Sequence, residues 1–502
     1  MSRYYDIPLR PGCPVSPKKF GAPPMACSPR CLEILTGDQV RDVHQTALRV
    51  LEEVGLWLPD RDVLEVFADA GARVDMDAQT VLIPPDLVEA SLREVPSGFT
   101  WVARNPAHTL TIDGTGTWFM GPDSALNVIG LNEAPRRGTA ADGVDICRLC
   151  DGLANVSGAS AGVHPDETSD EALAAWVTKT MFPCSSKPVF AVSRSKAAST
   201  LVIRMAEAVS DVCDLPRGAL PLMAVSNTVS PLYNTPGQLA GMLEYIRQGI
   251  PLLISPEVQA GATGPATLAG ALAQATAEFL GHATLAQLVN PGIPLVYGCV
   301  SSALDMRTAI LPYGAPEADL LCLATAQMAR HYGIPSRGTG GSSDAHTLGM
   351  QAGAESLMSN LVCILAGVSI VAHGAGELQN TLAVSFEKTV VDDELIGMVR
   401  RLAGGIDVSS ETLAFDVIRE IGPRGHFLTE DHTVKHYRNE HFIPSLLVRD
   451  RYETWTAGGA KRMEERARDL AQHLLDTHEP LPLPRHVVTE LDAIYASTRV
   501  AV

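Results

Sequence analysis

No apolar stretch in the 502 residues reaches membrane-spanning length. The longest uncharged one, Leu361 to Ala372, has about a dozen residues against the roughly 20 that a spanning helix needs. A membrane protein of helical type is therefore not expected. Basic residues are in the minority, 39 Lys and Arg against 57 Asp and Glu, and the formal charge is −18. Such a balance leaves few clustered cations for phosphate contacts, so nucleic acid is not an expected partner. Aromatic residues make up only 5% of the chain, whereas 42 Gly and 34 Pro suit short connections and frequent reversals. A metal-dependent hydrolase barrel would want an HxH on its first strand, and a zinc peptidase an HExxH; the sequence has neither. Cys147-x-x-Cys150 has no second CxxC to complete a zinc site, and within TAADGVDICRLCDGL it reads as two small residues on a helix face. The ten cysteines are scattered through a large chain, a distribution that suits free thiols rather than a disulfide framework. The opening MSRYYDIPLRPGCPVSPKKF has no apolar core of a secretory signal and reads as an extended arm, so a cytoplasmic location is expected.

The pattern divides the chain into three parts. Residues 1–112 read as an arm and an α+β cap, with helical spacing in VRDVHQTALRVLEEVG and DRDVLEVFADAGARVD and a short sheet beside them. Over residues 113–405, short apolar runs alternate with amphipathic helices. The runs are GTWFMGPDS, NVSGASAGVHPD, KPVFAVSRS, LPLMAVSNTVS, IPLLISPEV, IPLVYGCVSS, IPSRGTGGSSD and GVSIVAHGAGEL. Three of them open on Gly-Ile-Pro, in which Gly ends a helix and Pro starts a strand. Eight successive βα units predict an α/β fold of the (β/α)8 TIM-barrel type, with reactive groups at the C-terminal ends of the strands. An open doubly wound sheet is the alternative, but GTGGSSD lacks both the Lys and the glycine spacing of a phosphate loop. Residues 406–502 form a C-terminal helical extension, expected to pack on the barrel or on a second subunit.

Strand-end residues supply the site candidates: Asp123 and Ser124, His164 and Asp166, Ser193 and Arg194, Ser226 and Asn227, Glu257, Ser301 and Asp305, Asp344 and His346, and His373 with Glu377. Many such residues are ordinary helix caps. His346 follows a Gly-rich run that admits close approach of a ligand, and Glu377 follows AHGAG, which leaves little bulk beside it. His432-x-x-x-His436 has helical metal spacing but lies outside the barrel units, and a solvated or interdomain role is the favoured reading.

Two long blocks, VQAGATGPATLAGALAQATAEFLGHATLAQLVNPGIPLVYGCVSSALDMRT and YGAPEADLLCLATAQMARHYGIPSRGTGGSSDAHTLGMQAGAESL, closely resemble the trimethylamine methyltransferase superfamily. HQTALRVLEEVG and SFEKTVVDDELIGMVRRLAGGI extend the resemblance over nearly the whole chain. It implies a TIM barrel that passes a methyl group from a methylated amine to the cobalt of cobalamin held by a partner corrinoid protein, with no metal of its own. The chain departs from the archetypal trimethylamine enzymes in having no pyrrolysine across GTGGSSDAHTLGMQAG, and so resembles the branch that demethylates quaternary amines such as glycine betaine. A second departure is Cys184-Ser185-Ser186-Lys187-Pro188, where betaine enzymes of the family carry Asn in place of Cys, so the substrate can differ from glycine betaine.

The resemblance and the strand ends together nominate His346, Glu257 and Glu377 for catalysis, and Tyr297, Phe190, Trp118, Cys184, Asn227 and Asp344 for substrate contact. Phe119 is a further candidate for the cation and Arg337 for a substrate carboxylate. A quaternary nitrogen has a fixed charge and departs as a neutral amine, so methyl transfer needs no proton and depends on positioning. Aromatic faces hold such a cation at about 0.5–2 kcal/mol each. A sulfonium or other onium compound is the alternative substrate, and a barrel that binds an onium without turnover is the alternative outside enzymes. Association into a homo-oligomer is compatible with the extension.

Overall fold

The computed structural model describes residues 32–500 apart from residue 124, so the proposed N-terminal arm and Ser124 lie outside the described residues. Seven short strands, Trp118–Phe119, Val189–Val192, Leu222–Asn227, Leu252–Ser255, Leu295–Gly298, Ser336–Thr339 and Ile370–Ala372, form one parallel sheet. The run at 156–160 closes it. Val156 bridges Phe119 in parallel, the Ser157 N–H donates to the Phe119 carbonyl at 2.6 Å, and the Ala159 N–H donates to the Pro188 carbonyl at 2.8 Å. Each of the eight runs thus supplies one stave of a TIM barrel, the second too irregular for a ladder of its own.

The Gly-Ile-Pro repeats show how the sequence turns helix into strand. Gly249, Gly292 and Gly333 all have φ between 67° and 84°, a left-handed conformation that costs glycine least. The following Ile250, Ile293 and Ile334 are buried, and the N–H groups of Ile250 and Ile334 close the preceding helix by bonding to the carbonyls of Tyr245 and Ala329. Pro then enters the strand, where its missing N–H does no harm at the first position. Ala366-Gly367-Val368 repeats the device without proline, with Gly367 at φ 71°.

Side-chain parity along the strands decides what faces the barrel interior. Met120, Phe190, Met223, Leu253, Val296 and Ile370 share an interior cluster, while their neighbours Phe119, Val189, Leu252, Leu295 and Val371 join the larger core against the outer helices. The N-terminal end of the barrel is plugged by an antiparallel pair, Phe99–Trp101 with Leu110–Ile112, whose Trp101 ring packs 4.6 Å from that of Phe190. The opposite end is left for ligands.

Before the barrel come helices Gly37–Glu53, Arg61–Asp69 and Pro85–Glu94 and a three-stranded antiparallel sheet. The first helix packs on the long helix Leu268–Val289, whose faces are almost wholly buried. After the barrel, helices Met463–Thr477 and Arg485–Ala496 pack back on the barrel's outer layer. No described helix is long and apolar enough to cross a membrane.

Candidate active site

At the C-terminal ends of the strands the interior opens into a cavity of about 70 Å³, room for about five to seven waters at the roughly 10–15 Å³ that each needs. Its walls are largely apolar: Met120, Phe190, Val225, Leu253 and Ala372 from the strands, and Leu173, Val177 and Met181 from the helix Asp170–Cys184. Its polar lining includes Asp123, Ser160, Arg194, Arg337 and His373.

Arg337 reaches the interior because its strand neighbour Gly338 faces outward, where an added Cβ would meet the sulfurs of Cys322 and Cys363. The guanidinium is 5% exposed and donates through one Nη to the Cys299 carbonyl at 2.7 Å and to Thr339 Oγ1 at 3.0 Å. Burial lowers its pKa, yet an arginine keeps its proton in proteins, so a fixed cation sits at the cavity wall. His373 follows the last strand in a left-handed conformation, φ 58°, that turns its ring toward Glu377. Its Nδ1 lies 2.8 Å from Glu377 Oε1. Burial alone would lower the imidazole pKa, but the Glu377 charge and hydrogen bond outweigh it, and the pKa is raised. The fully buried Glu377 also accepts the Asp123 N–H at 2.8 Å and the Ser342 hydroxyl at 3.2 Å, tying the first, seventh and eighth strand ends together.

Glu257, two residues past its strand, forms the other acidic pole. Burial raises its pKa, and the Tyr313 hydroxyl bond with the nearby Arg337 and His373 charges offsets that only in part. Tyr313 Oη donates to Glu257 Oε1 at 3.2 Å. Tyr313 is in turn held by Asp344, whose Oδ1 and Oδ2 accept the N–H groups of Tyr313 and Gly314 at 3.0 and 3.1 Å. Asp344, Tyr313 and Glu257 thus form a hydrogen-bonded chain at the mouth, within charge range of the pocket's Arg337 and His373.

The nominated residues fall in different places. Phe190 lines the cavity, Glu377 adjoins it through the lining residue His373, Glu257 lies within charge range of Arg337 and His373, and Asn227 shares the inward parity of Met223 and Val225, one step nearer the mouth. Asp344 adjoins the site through Tyr313 rather than lining the cavity. Tyr297 does not face the cavity. It alternates with the inward Val296, so its ring is fully buried, stacked at 4.0 Å on Phe279 of an outer helix, with its hydroxyl on Thr276. Phe119 likewise points outward, with the Arg400 guanidinium 5.4 Å from its ring. Trp118 lies at the plugged end, where its Nε1 donates to the Thr111 carbonyl. Cys184 is at the end of an outer helix, hydrogen-bonded to Cys147. The stretch after it is structural: buried Lys187 donates to the carbonyls of Cys150, Leu153 and Val156 at 2.6–2.8 Å. His346 stands exposed on a mouth loop and does not line the cavity.

Elsewhere, Cys147 and Cys150 are both buried on the helix Ala140–Gly152, and burial pushes the Cys150 thiol up to about 12, far from a reactive thiolate. The His432 and His436 rings lie 4.4 Å apart, with the Glu411 carboxylate 3.2 Å from His436 Nε2. Among the described residues no group of three or more His, Cys, Asp or Glu could hold a metal ion.

Tyr313 has no counterpart among the sequence candidates, because it sits 15 residues beyond its strand with no strand-end signal. Two further short motif spellings are present in the chain. Gly158-Ala-Ser160-Ala-Gly162 has GxSxG spacing, but Ser160 lies on a barrel stave rather than on a strand-to-helix elbow, and its Oγ accepts the Gly162 N–H at 3.1 Å. Asp344-Ala-His346-Thr-Leu-Gly349 has the DxHxxG spacing of corrinoid-anchoring proteins. Here Asp344 accepts the Tyr313 and Gly314 N–H groups, and His346 is exposed on the loop that follows the Ser336–Thr339 strand.

The model of the family described as trimethylamine methyltransferase matches residues 16–501. The chain belongs to the trimethylamine methyltransferase family. It is 34% identical to a glycine betaine methyltransferase of Desulfitobacterium hafniense (strain Y51), over 92% of this chain and 96% of that one. It is 31% identical to a trimethylamine methyltransferase of another strain of that species, DSM 10664 / DCB-2, over 92% and 93% of the two chains. Among solved structures, the monomethylamine methyltransferase of Methanosarcina barkeri matches over 88% of this chain and 93% of that one, with a TM-score of 0.46 at 11% identity. The protein is accordingly an enzyme, a methyltransferase, and the barrel mouth just described is where a family member of this fold would carry out its reaction.

Proposed function

We propose that this methyltransferase takes a methyl group from a small quaternary amine of the betaine type and passes it to the cobalt(I) of a corrinoid carried by a separate protein. The observation that carries the reading is a small, mostly apolar cavity with a buried guanidinium, Arg337, in its wall and carboxylates beside it. A zwitterion with a bulky cationic head and a carboxylate tail matches that division of charge. The Phe190 ring and the thioethers of Met120 and Met181 receive the methylated head, with Glu257 and Glu377 as counter-charge. Arg337, with the His373 ring and Asn227, receives the carboxylate.

The chain's own groups position rather than react. Neither a thiol nor an amine lines the cavity, so the methyl acceptor has to reach the substrate through the mouth. Cobalt(I) supplies a nucleophile strong enough to displace a neutral tertiary amine. Holding the reacting methyl toward the opening, with water kept from the apolar wall, is the part left to the protein. His346, exposed on the mouth loop, belongs on this reading to the docking face and not to the substrate site. The glycine betaine relative and the standard residues in the 339–350 loop support a quaternary substrate.

The test follows the absorbance change from cob(I)alamin to methylcobalamin across glycine betaine, proline betaine, carnitine, choline and trimethylamine. Turnover of one or more carboxylate-bearing amines, with choline and trimethylamine poor, is expected. Turnover confined to a sulfonium or other onium compound, or tight onium binding without transfer to competent reduced corrinoid, would overturn it.

A further inference from the structure

We infer that Lys388 and Asp392, buried behind the mouth on the helix Phe386–Ala403, are positioning residues that hold the His373–Glu377 contact in its working geometry. The inference rests on the proposed site only in taking that contact as part of it. The two residues stand four apart, so their side chains meet on one helix face. Both are buried, and Lys388 Nζ lies 2.6 Å from Asp392 Oδ2. The other two protons of the ammonium go to the Gly341 carbonyl and to Ser356 Oγ, each at 2.7 Å. Asp392 Oδ2 in turn accepts the Gly376 N–H at 2.8 Å.

These partners belong to two mouth loops. Gly341 follows the strand Ser336–Thr339, and Gly376 follows the strand Ile370–Ala372 and immediately precedes Glu377. The loops touch through their backbones: a Cβ at Gly341 would fall 2.2 Å from the Gly374 carbonyl oxygen and 2.6 Å from that of His373. They also touch through side chains, since Ser342 donates to one oxygen of Glu377 while His373 faces the other. Gly341, His373 and Gly376 have left-handed backbones, with φ of 68°, 58° and 94°. For His373 that conformation is unfavourable by itself and persists where its surroundings over-determine it. The ion pair supplies such a constraint from behind, with one end on each loop.

Stability is a poor explanation for the pair. Desolvation of a buried ammonium and carboxylate can exceed their mutual attraction, and apolar residues of similar volume often hold a fold as well or better. Leucine and methionine would fill the same space. What they lack is a donor aimed at one loop and an acceptor aimed at the other.

The test is Lys388→Met with Asp392→Leu, which removes both charges together and so leaves neither unpaired. Ser356→Ala is a milder variant that takes away one partner of Lys388, and Ile396→Ala, in the core on the same helix, is the control for general loosening. NMR titration follows the His373 ring, its signal identified by its loss in His373→Gln. Burial works against the charged ring and Glu377 for it, with Arg337 against and Asp123 for, and Glu257 is also within charge range. All five groups are kept in these three variants. The midpoint should fall by about one pH unit or more in the double variant, as contact with the carboxylate loosens while burial stays, and by less in Ser356→Ala. The alkaline limb of kcat/KM should move to lower pH with it, and Ile396→Ala should shift neither. A midpoint that stays put in the folded double variant, or that moves as far in Ile396→Ala, would overturn the inference. If the double variant does not fold, Ser356→Ala decides on the same criterion. A midpoint that falls while kcat/KM is unaltered upholds the inference and counts instead against the placement of substrate beside His373.

Discussion

Replacing Arg337 by methionine removes the buried cation but keeps most of its volume. Two separate losses should follow. Inside the protein, the Cys299 carbonyl and Thr339 Oγ1 lose their donor, a cost of about 1 kcal/mol per bond that appears as reduced stability. At the site, a substrate carboxylate that had paired with the guanidinium is left buried without a partner, which costs about 2–5 kcal/mol. At 1.36 kcal/mol per factor of ten, that is roughly a 30- to 5000-fold loss in kcat/KM or binding for glycine betaine. Arg337→Lys keeps the charge without the planar fork, so it should recover part of the loss. Calorimetric titration of glycine betaine and choline into each variant separates the effects. Choline has the same cationic head and no carboxylate, so only the structural loss should touch it. A Kd for glycine betaine within threefold of the unaltered enzyme, or equal losses for the two ligands, would refute the assignment of Arg337 to the carboxylate.

Two further outcomes follow from the same geometry. Because burial raises the Glu257 pKa above the ordinary carboxylate value and the cationic head needs its anion, KM should rise as pH falls through that raised pKa; because Glu377 holds the His373 imidazolium above its ordinary value, KM should rise again as pH climbs through it. Profiles of kcat/KM should be bell-shaped, Glu257→Gln deleting the acid limb and His373→Gln the alkaline one, whereas a flat profile in the unaltered enzyme would contradict both roles. Asp344→Asn should weaken its hold on the backbone of Tyr313 and so act through the Tyr313–Glu257 bond, shifting the acid limb in the same direction as Tyr313→Phe. The double variant should lose little more than either single one, leaving a coupling of about 0.5–3 kcal/mol; additive losses would place Asp344 in some other role.

The order of eight βα units could be read along the chain because each junction is spelled locally. Gly-Ile-Pro at 249, 292 and 333 encodes a left-handed helix end, a buried anchor and a strand start within three residues, and no distant contact is needed to recognise it. The same logic brought out Glu257, His373 and Glu377, which stand just after strand ends. Tyr313 escaped because its place is set by Asp344, 31 positions later, and by the strand after its own. The short spelling GxSxG shows the converse: without a strand-to-helix elbow, its Ser160 lies on a barrel stave and accepts the Gly162 N–H.

Tyr297 and Phe119 turn away from the cavity for a different physical reason, which lies in the kind of sheet this is. Strands of a parallel barrel are buried on both faces, one against the interior and one against the helices, so they lack the apolar–polar alternation that reveals parity in a half-exposed strand. Leu252–Ser255 and Leu295–Gly298 are buried at every position. Nothing in Leu-Val-Tyr-Gly says whether Val296 or Tyr297 turns inward, and a shift of one residue exchanges the two faces. Parity becomes readable only where chemistry breaks the symmetry. In Ser336-Arg337-Gly338-Thr339 the outer side of residue 338 is closed by two sulfurs, which leaves room there for glycine but not for a side chain. That forces Arg337 and Thr339 inward, and the register of the neighbouring strands then carries the inward face from Gly298 and Val296 round to Ala372 and Ile370. In a barrel of this kind, the glycine pressed against the helix layer is therefore a better guide to the site than the aromatic residue beside it.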